Sequence, residues 1–483
     1  MEQQTQQYEQ IKKRGIISAL SLFFQSGYTA FLGLIANLVV TILLSPAIFG
    51  MYITVLSIIS VLNYFSDIGL AASLIQKKEV RDEDFVTTFS VQQMMTITIS
   101  VVGFLATRFV MQFYKLPDQG MYLYWALLVG FFLSSLKTIP SIFLERKIHF
   151  QKIVLVQVVE GTVFYLAVIV CAVAKLGLQS FTIAVLLRSV VGLVLIYIIS
   201  PWKPRLGISR SSLRELLHFG IPFQASSFLA LFKDDLITLF LSKVVGFTGV
   251  GYIGWAKKWA EAPIRIIMDN VTRVLFPVIS RLQHDREKIS QLIEKILFLQ
   301  TAVLAPVIFG MSLSMEHIVY LIPKYAKWAP ALPLFYLFCV SAFLASFSSP
   351  LLNLINALGK AKIPFIFMVI WTIMTWILTP SLTFFFSYYG FPITVALISV
   401  SSVAVVIIAK KQIAFRFMYT TYKPFLSALL MALVMMLANM AVHNHLLALA
   451  LSASLGAITY LCALSLLFRV NIMKEVQVLF HKQ

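Results

Sequence analysis

Acid is scarce in this chain. Its 483 residues hold 20 aspartates and glutamates against 39 lysines and arginines, and charged residues of both signs amount to 12%. Cysteine is scarcer still. Cys171, Cys339 and Cys462 stand singly in apolar runs, which excludes a disulfide framework and a cysteine-based metal site. The histidines fall mostly in loops or at helix ends, and His443 with His445 reads as a surface pair rather than a metal site. There is no P-loop, no paired Cys/His ligand set and no extramembrane segment long enough for a catalytic fold. ATP-driven chemistry, a resident cofactor and enzymatic activity are therefore not expected. Nor does the opening "MEQQTQQYEQIKKRG" lead into the short apolar core of a cleavable signal peptide; the run after it is of spanning length.

What the chain has is apolar length. Hydrophobic residues make up 59%. Runs long enough to cross a bilayer lie near 16–44, 48–74, 85–112, 119–143, 153–175, 178–200, 217–243, 249–279, 290–313, 330–356, 363–387, 390–409, 424–442 and 446–468. The expected fold is an all-α polytopic membrane protein of about fourteen transmembrane helices. An even number puts both termini on one side. With the N-terminus inside, twenty-five loop-side lysines and arginines fall inside and six fall outside: Arg108, Lys115, Lys175, Lys243, Lys324 and Lys327. The positive-inside rule then predicts cytoplasmic termini. Basic cytoplasmic loops account for the net charge of +19, so nucleic acid is not an expected partner.

The polar break "PWKPRLGISRSSLREL" (201–216) reads as a cytoplasmic linker. Within it "SLRE" predicts a capping box, with Ser212 at the cap and Glu215 reaching back. Either side of the break the chain repeats a pattern. "SPAIFGMYITVLSII" (45–59) falls on "GFTGVGYIGWAKKWA" (246–260) at a spacing of 201, with Gly50 on Gly251. Internal repeats of this kind build many transporter folds. The division expected is a six-helix lobe over 1–200, the linker, a second six-helix lobe over 217–415, and two further helices with a tail over 416–483.

Charge inside the spans is the informative anomaly. Lys233, Asp234 and Asp235 stand together in "LALFKDDLITLF", within a run of spanning length. Each mid-depth charge costs ~2.5–3.5 kcal/mol, while a flanking Leu, Ile or Phe returns only ~0.3–0.6. On a regular helix the three would sweep 200° of circumference, so protein or water must surround most of that girth. The next span carries Lys257, Glu261, Arg265, Asp269 and Arg273 at intervals of four with alternating sign, and Lys258 beside them. Opposite charges at that spacing can pair down one face. A self-neutralised structural ladder is one reading. Four cations against two anions favour the other, an anionic ligand on a path through the membrane. Weaker members are Arg188, deep in the sixth span; Glu160, shallow enough to reach water; and Asn63 with Asp67, where a capping or surface role competes with ion coupling. Pro222 and Pro263 could kink the seventh and eighth spans.

The stretch "DNVTRVLFPVISRLQHDREKI" (269–289), with "GVGYIGWAKKW" (249–259) before it, resembles the Wzx-type polysaccharide and O-antigen exporters of the multidrug/oligosaccharidyl-lipid/polysaccharide exporter superfamily. "LLSPAIFGMYITVLSIISVLNYFSDIGLAASLIQKKE" (43–79) and "LGISRSSLRELLHFGIPF" (206–223) are similar to the same family. The resemblance implies a flippase of the bacterial cytoplasmic membrane that moves undecaprenyl-pyrophosphate-linked oligosaccharide by alternating access between two lobes. Its partners would be the lipid-linked oligosaccharide, membrane lipid, a polysaccharide polymerase and glycosyltransferases. The first, second, seventh and eighth helices would line the cavity. Lys233 would supply charge there, and Asp234 and Asp235 would neutralise cations or bind sugar hydroxyls. Asp235, Glu160 or Asp67 would take a coupling Na+ or H+. A peptidoglycan-precursor flippase has the same topology. A multidrug/cation antiporter fits the cation surplus less well. A membrane-embedded glycosyltransferase or polymerase would carry catalytic acids in a large outer loop; the longest, about 313–329, has only Glu316.

Overall fold

Helix ends follow the polar punctuation of the chain. Ser45 caps the second helix (Pro46–Ser66), its hydroxyl accepting from the Ile48 N–H at 3.4 Å, and Pro46 opens the first turn where its missing N–H is harmless. Asp285 caps the ninth helix (Arg286–Leu321) through the Lys288 N–H at 3.1 Å. The Lys288 ammonium also donates to Asp285, which holds that carboxyl below the usual carboxylate range.

The computed structural model describes residues 2–282, 285–442 and 444–468; the side chains of 2–20, 22–23, 222–223, 225–227, 230, 267–274, 276–277, 281 and 467 lie outside that description. Each of the fourteen apolar runs is helical, and no strand occurs among the described residues. Eleven helical segments there are long and apolar enough to cross a membrane, one of which, Lys362–Gln412, holds both the eleventh and twelfth runs. The seventh and eighth helices, parts of which lie outside the described residues, are not among the eleven. The chain is an all-α, multi-pass membrane protein. The eighth helix (Gly246–Leu282) is continuous through Pro263.

Internal packing divides the chain into two units, Met1–Gly254 and Trp255–Gln483. In the first, residues 201–216 are docked along the start of the third helix (Asp82–Leu105). Trp202 meets Phe89 edge-on at 4.9 Å. The Gly207 and Ser209 N–H groups donate to Ser90 Oγ and Thr87 Oγ1 at 2.9 and 3.0 Å, and Arg205 pairs with Asp82 at 3.2 Å. The capping box expected of Ser212 and Glu215 does not form. Ser209 is the cap instead, accepting from the Ser212 N–H at 3.5 Å. Glu215 turns to Lys77, 2.9 Å away, which also pairs with the buried Asp84 at 3.0 Å. A cation seated between two carboxylates is a stronger partner for Glu215 than an exposed backbone N–H. Burial alone would lower Lys77; the bonds to Glu215 and Asp84 prevail and raise it above the ordinary lysine value.

The second unit is built around Leu275, Ile279, Ile293 and Leu297 against Leu351 and Leu354, all at most 2% exposed. At another point Trp255 stacks on Trp328 at 5.6 Å and donates from Nε1 to the Tyr325 hydroxyl at 2.8 Å. The thirteenth helix (Phe417–Ala441) and the fourteenth (His445–Cys462) pack on the ninth through Met431, Met435 and Tyr460, whose hydroxyl donates to the Ala302 carbonyl at 2.6 Å.

Candidate functional site

The second helix and its short continuation (Leu70–Gln76) run antiparallel to the seventh helix, which is built from Arg210–Leu231 and Ile237–Val244. Polar side chains join them along their length. At one end Ser73 Oγ donates to the Leu216 carbonyl at 2.7 Å, and Gly69 meets Gly220 so closely that a Cβ on Gly69 would lie 2.2 Å from the Gly220 oxygen. Gly69 also has φ of +81°, so glycine is required there twice over. Next, Gln224 Nε2 donates to the Tyr64 carbonyl at 3.0 Å, and the Tyr64 hydroxyl donates to the Gln224 carbonyl. Further along, Ser60 Oγ donates to Asp235 Oδ2 at 2.9 Å, and the Thr54 and Ser242 hydroxyls lie 2.8 Å apart.

Between the Tyr64–Gln224 and Ser60–Asp235 contacts the second helix advances four residues and the seventh eleven. The two therefore part, and a cavity of about 520 Å³ opens in the gap. Its walls include Ser60, Asn63, Asp67, Gln224, Asp234 and Asp235 from the second and seventh helices, with Gln92 from the third, Ser134 and Ser135 from the helix Asp118–Leu136 and Thr138 from the helix that follows it. Among the described residues three carboxylates line it and no lysine or arginine does. Gln92 is 5% exposed; its Nε2 donates to Thr138 Oγ1 at 3.0 Å, and its Oε1 has no hydrogen-bond partner among the described residues. The lining is an array of acceptors, suited to groups rich in hydroxyl donors or to a cation.

At Lys233, Asp234 and Asp235 the seventh helix is not α-helical. Phe232–Leu236 form a single turn of π-helix between its two α-helical parts. Bonding from i to i+5 widens the turn, so the three side chains diverge less than the regular helix expected from the sequence would make them; such turns concentrate at functional sites. Asp234 and Asp235 line the cavity, and Lys233 is half-buried outside its wall.

On the eighth helix Lys257, Glu261 and Arg265 pair as their spacing predicts. Glu261 accepts from Arg265 at 2.9 Å and lies 3.9 Å from Lys257, so one carboxylate serves two cations. Lys258 and Arg265 are exposed, and Lys257 lies 6.0 Å from the centre of the Phe391 ring. Cations exceed acids among the described side chains of the ladder. Asp269 and Arg273, also expected to belong to it, lie outside the described side chains.

The weaker candidates fall elsewhere. Glu160 does not reach water: it is 5% exposed and bonds to Lys137 at 2.6 Å, in a space kept free by Gly192, where a Cβ would stand 1.6 Å from the Glu160 oxygen. Burial is tolerated because the cation comes from the break between the helices Asp118–Leu136 and Thr138–Arg146. Asp67 accepts from the Leu70 and Ala71 N–H groups at 2.9 and 3.4 Å, capping the helix that follows, while also lining the cavity. Arg188 is exposed with its guanidinium 5.8 Å from the Phe164 ring centre. The uncharged lining residues Ser60, Gln92, Gln224, Ser134, Ser135 and Thr138 escaped the sequence reading. Ser60, Asn63 and Asp67, spaced three and four apart in an apolar helix, were the signal that could have found the wall.

The family described as "Polysaccharide biosynthesis protein" matches residues 39–333. The chain is similar to the lipopolysaccharide biosynthesis protein WzxC of Escherichia coli, 25% identical over 71% of this chain and 70% of that one. It is similar to the succinoglycan biosynthesis transport protein ExoT of Rhizobium meliloti, 22% identical over 86% of each. Among solved structures it shares its fold with the lipid II flippase MurJ in an inward closed conformation, at a TM-score of 0.76 and 14% identity, covering 94% of this chain and 99% of that one. An inward-facing multidrug resistance MATE family transporter of the MOP superfamily matches at 0.62 and 15% identity, over 82% of this chain and 97% of that one.

Proposed function

Because the chain belongs to the polysaccharide biosynthesis protein family, we propose that it is a flippase for lipid-linked oligosaccharide, carrying the undecaprenyl-pyrophosphate form across the bacterial cytoplasmic membrane. The observation that carries this reading is the acceptor-lined cavity where the second and seventh helices part. An apolar helix pair gains nothing from such a lining unless a hydrophilic ligand enters it. Vicinal sugar hydroxyls are donors that Asp234, Asp235, Asn63 and Gln92 can accept. The diphosphate needs the opposite chemistry, and the exposed Lys258 and Arg265 of the eighth helix, with Lys257, offer it counter-charge. The lipid tail stays in the bilayer.

In this reading both termini are cytoplasmic, two six-helix lobes alternate in access, and the thirteenth and fourteenth helices are additions to them. A coupling Na+ or H+ would be taken by Asp235 or Asp67. Glu160 is a less suitable carrier, since Lys137 already satisfies it. The product would pass to a polysaccharide polymerase, and glycosyltransferases would supply the substrate.

Proteoliposomes containing the chain should expose a fluorescent undecaprenyl-pyrophosphate oligosaccharide on the opposite leaflet faster than protein-free vesicles. Translocation of lipid II in preference to the oligosaccharide would replace this reading with a precursor flippase. Efflux of a cationic dye without lipid movement would replace it with an antiporter.

A further inference from the structure

Two imidazoles from helices distant in sequence meet at one end of the second unit. His317, on the ninth helix, places Nδ1 3.1 Å from the Nδ1 of His445, the first residue of the fourteenth. Their ring centres are 5.4 Å apart, and Tyr320 stacks on His445 at 5.6 Å with an interplanar angle of 22°. The pair is held by folded elements. Asn444 caps the fourteenth helix by accepting from the Leu446 and Leu447 N–H groups at 3.0 and 3.2 Å, and Asn439 Nδ2 donates to the Leu313 carbonyl at 3.0 Å, tying the thirteenth helix to the ninth. His445 is exposed and His317 half-buried, so both rings can turn a little and the place is open to solutes.

Two nitrogens bound to one metal at ~2.0–2.1 Å stand ~2.9 Å apart at a right angle and ~3.4 Å apart at the tetrahedral angle. The observed separation falls between these limits. Without a metal the two Nδ1 atoms can share one proton; a metal replaces that proton and satisfies both lone pairs. Imidazole donors select zinc, nickel or copper over magnesium or calcium. Among the described residues no third His, Cys, Asp or Glu completes a metal-binding group.

We propose that His317 and His445 form a divalent transition-metal site that clips the start of the fourteenth helix to the end of the ninth. In the topology proposed above it lies on the outer face, where the metal reaches it without crossing the membrane. The site shares no residue with the cavity, and its failure would leave the flippase reading as it stands.

The test uses the full chain, purified without a histidine tag in detergent and titrated with zinc chloride. One zinc should bind saturably and raise the unfolding temperature, with no such effect from magnesium. Binding should weaken as pH falls, because protons compete for the imidazoles. His317→Gln and His445→Gln should each weaken zinc binding at least tenfold while keeping the metal-free unfolding temperature, and His218→Gln, on the seventh helix, should bind as the unaltered chain does. Zinc binding unchanged in either variant overturns the site, as does the absence of saturable binding in the unaltered chain. Should the glutamine variants unfold early, His317→Asn and His445→Asn carry the same comparison.

Discussion

A Cβ on Gly50 would stand 2.8 Å from the Gly251 amide nitrogen and 1.8 Å from the Phe247 carbonyl oxygen, and one on Gly251 would stand 2.0 Å from the Pro46 oxygen. These are the two glycines that superpose when the halves of the sequence are aligned. The second and eighth helices thus cross backbone against backbone near their first turns. Gly50→Ala should cost about 1–3 kcal/mol, the usual range for overpacking. Gly161→Ala, whose Cβ would meet nothing within 4 Å, should be neutral or stabilising by ~0.5–1 kcal/mol. Unfolding in detergent decides; equal effects of the two would show that the crossing tolerates a side chain.

The Lys137–Glu160 pair predicts a folding defect. Both side chains are largely buried, so Glu160→Gln strands a cation, at about 3–5 kcal/mol, and membrane abundance should fall. Lys137→Met combined with Glu160→Gln should recover part of the loss. Normal abundance of Glu160→Gln with altered sodium or pH dependence of transport would instead give Glu160 the coupling role.

For the seventh helix the expectation is reversed. Asp235 faces a cavity that water can enter, so Asp235→Asn and Lys233→Ala should accumulate near normally yet export poorly in a strain lacking its own flippase. Should both variants vanish from the membrane while the residual protein exports fully, the cavity would have only a structural part.

The eighth helix separates charge from geometry. Arg265→Ala should reduce translocation more than abundance, and Arg265→Lys should restore part of it, keeping the charge without the two-pronged guanidinium. Lys257→Ala should behave like Arg265→Ala. Flipping that survives alanine at both positions in reconstituted vesicles would leave Glu261 and its two partners as a structural ladder.

Sidedness is checked by single cysteines in a chain freed of Cys171, Cys339 and Cys462. Those at Lys78 and Lys362 should react with an impermeant maleimide only after the membrane is opened, and those at Lys115 and Lys324 in intact cells. Labelling of all four from one side would remove the fourteen-span topology.

Helix positions were legible in the sequence because hydrophobic length and polar punctuation are local properties: each of the fourteen runs is helical, though several are divided into two helices, and the family is carried by contiguous motifs such as 249–289. The Lys257–Glu261–Arg265 part of the eighth-helix ladder was legible for the same reason, since residues four apart are neighbours on any α-helix. Local signals misled where a side chain had a distant alternative. Glu215 left its predicted cap for Lys77, 138 residues away, and Glu160 turned from water to Lys137. The carboxylates of the cavity stood out in the sequence, but its uncharged walls from the third and fourth apolar runs and the histidine pair did not. The cavity exists because the second and seventh helices, joined at Tyr64–Gln224 and Ser60–Asp235, part between those contacts, and the histidines meet across 128 residues. Burial and periodicity decide which residues face inward, whereas only packing decides which inward faces meet, because that choice is made by shape and by hydrogen bonds between segments the chain itself keeps far apart.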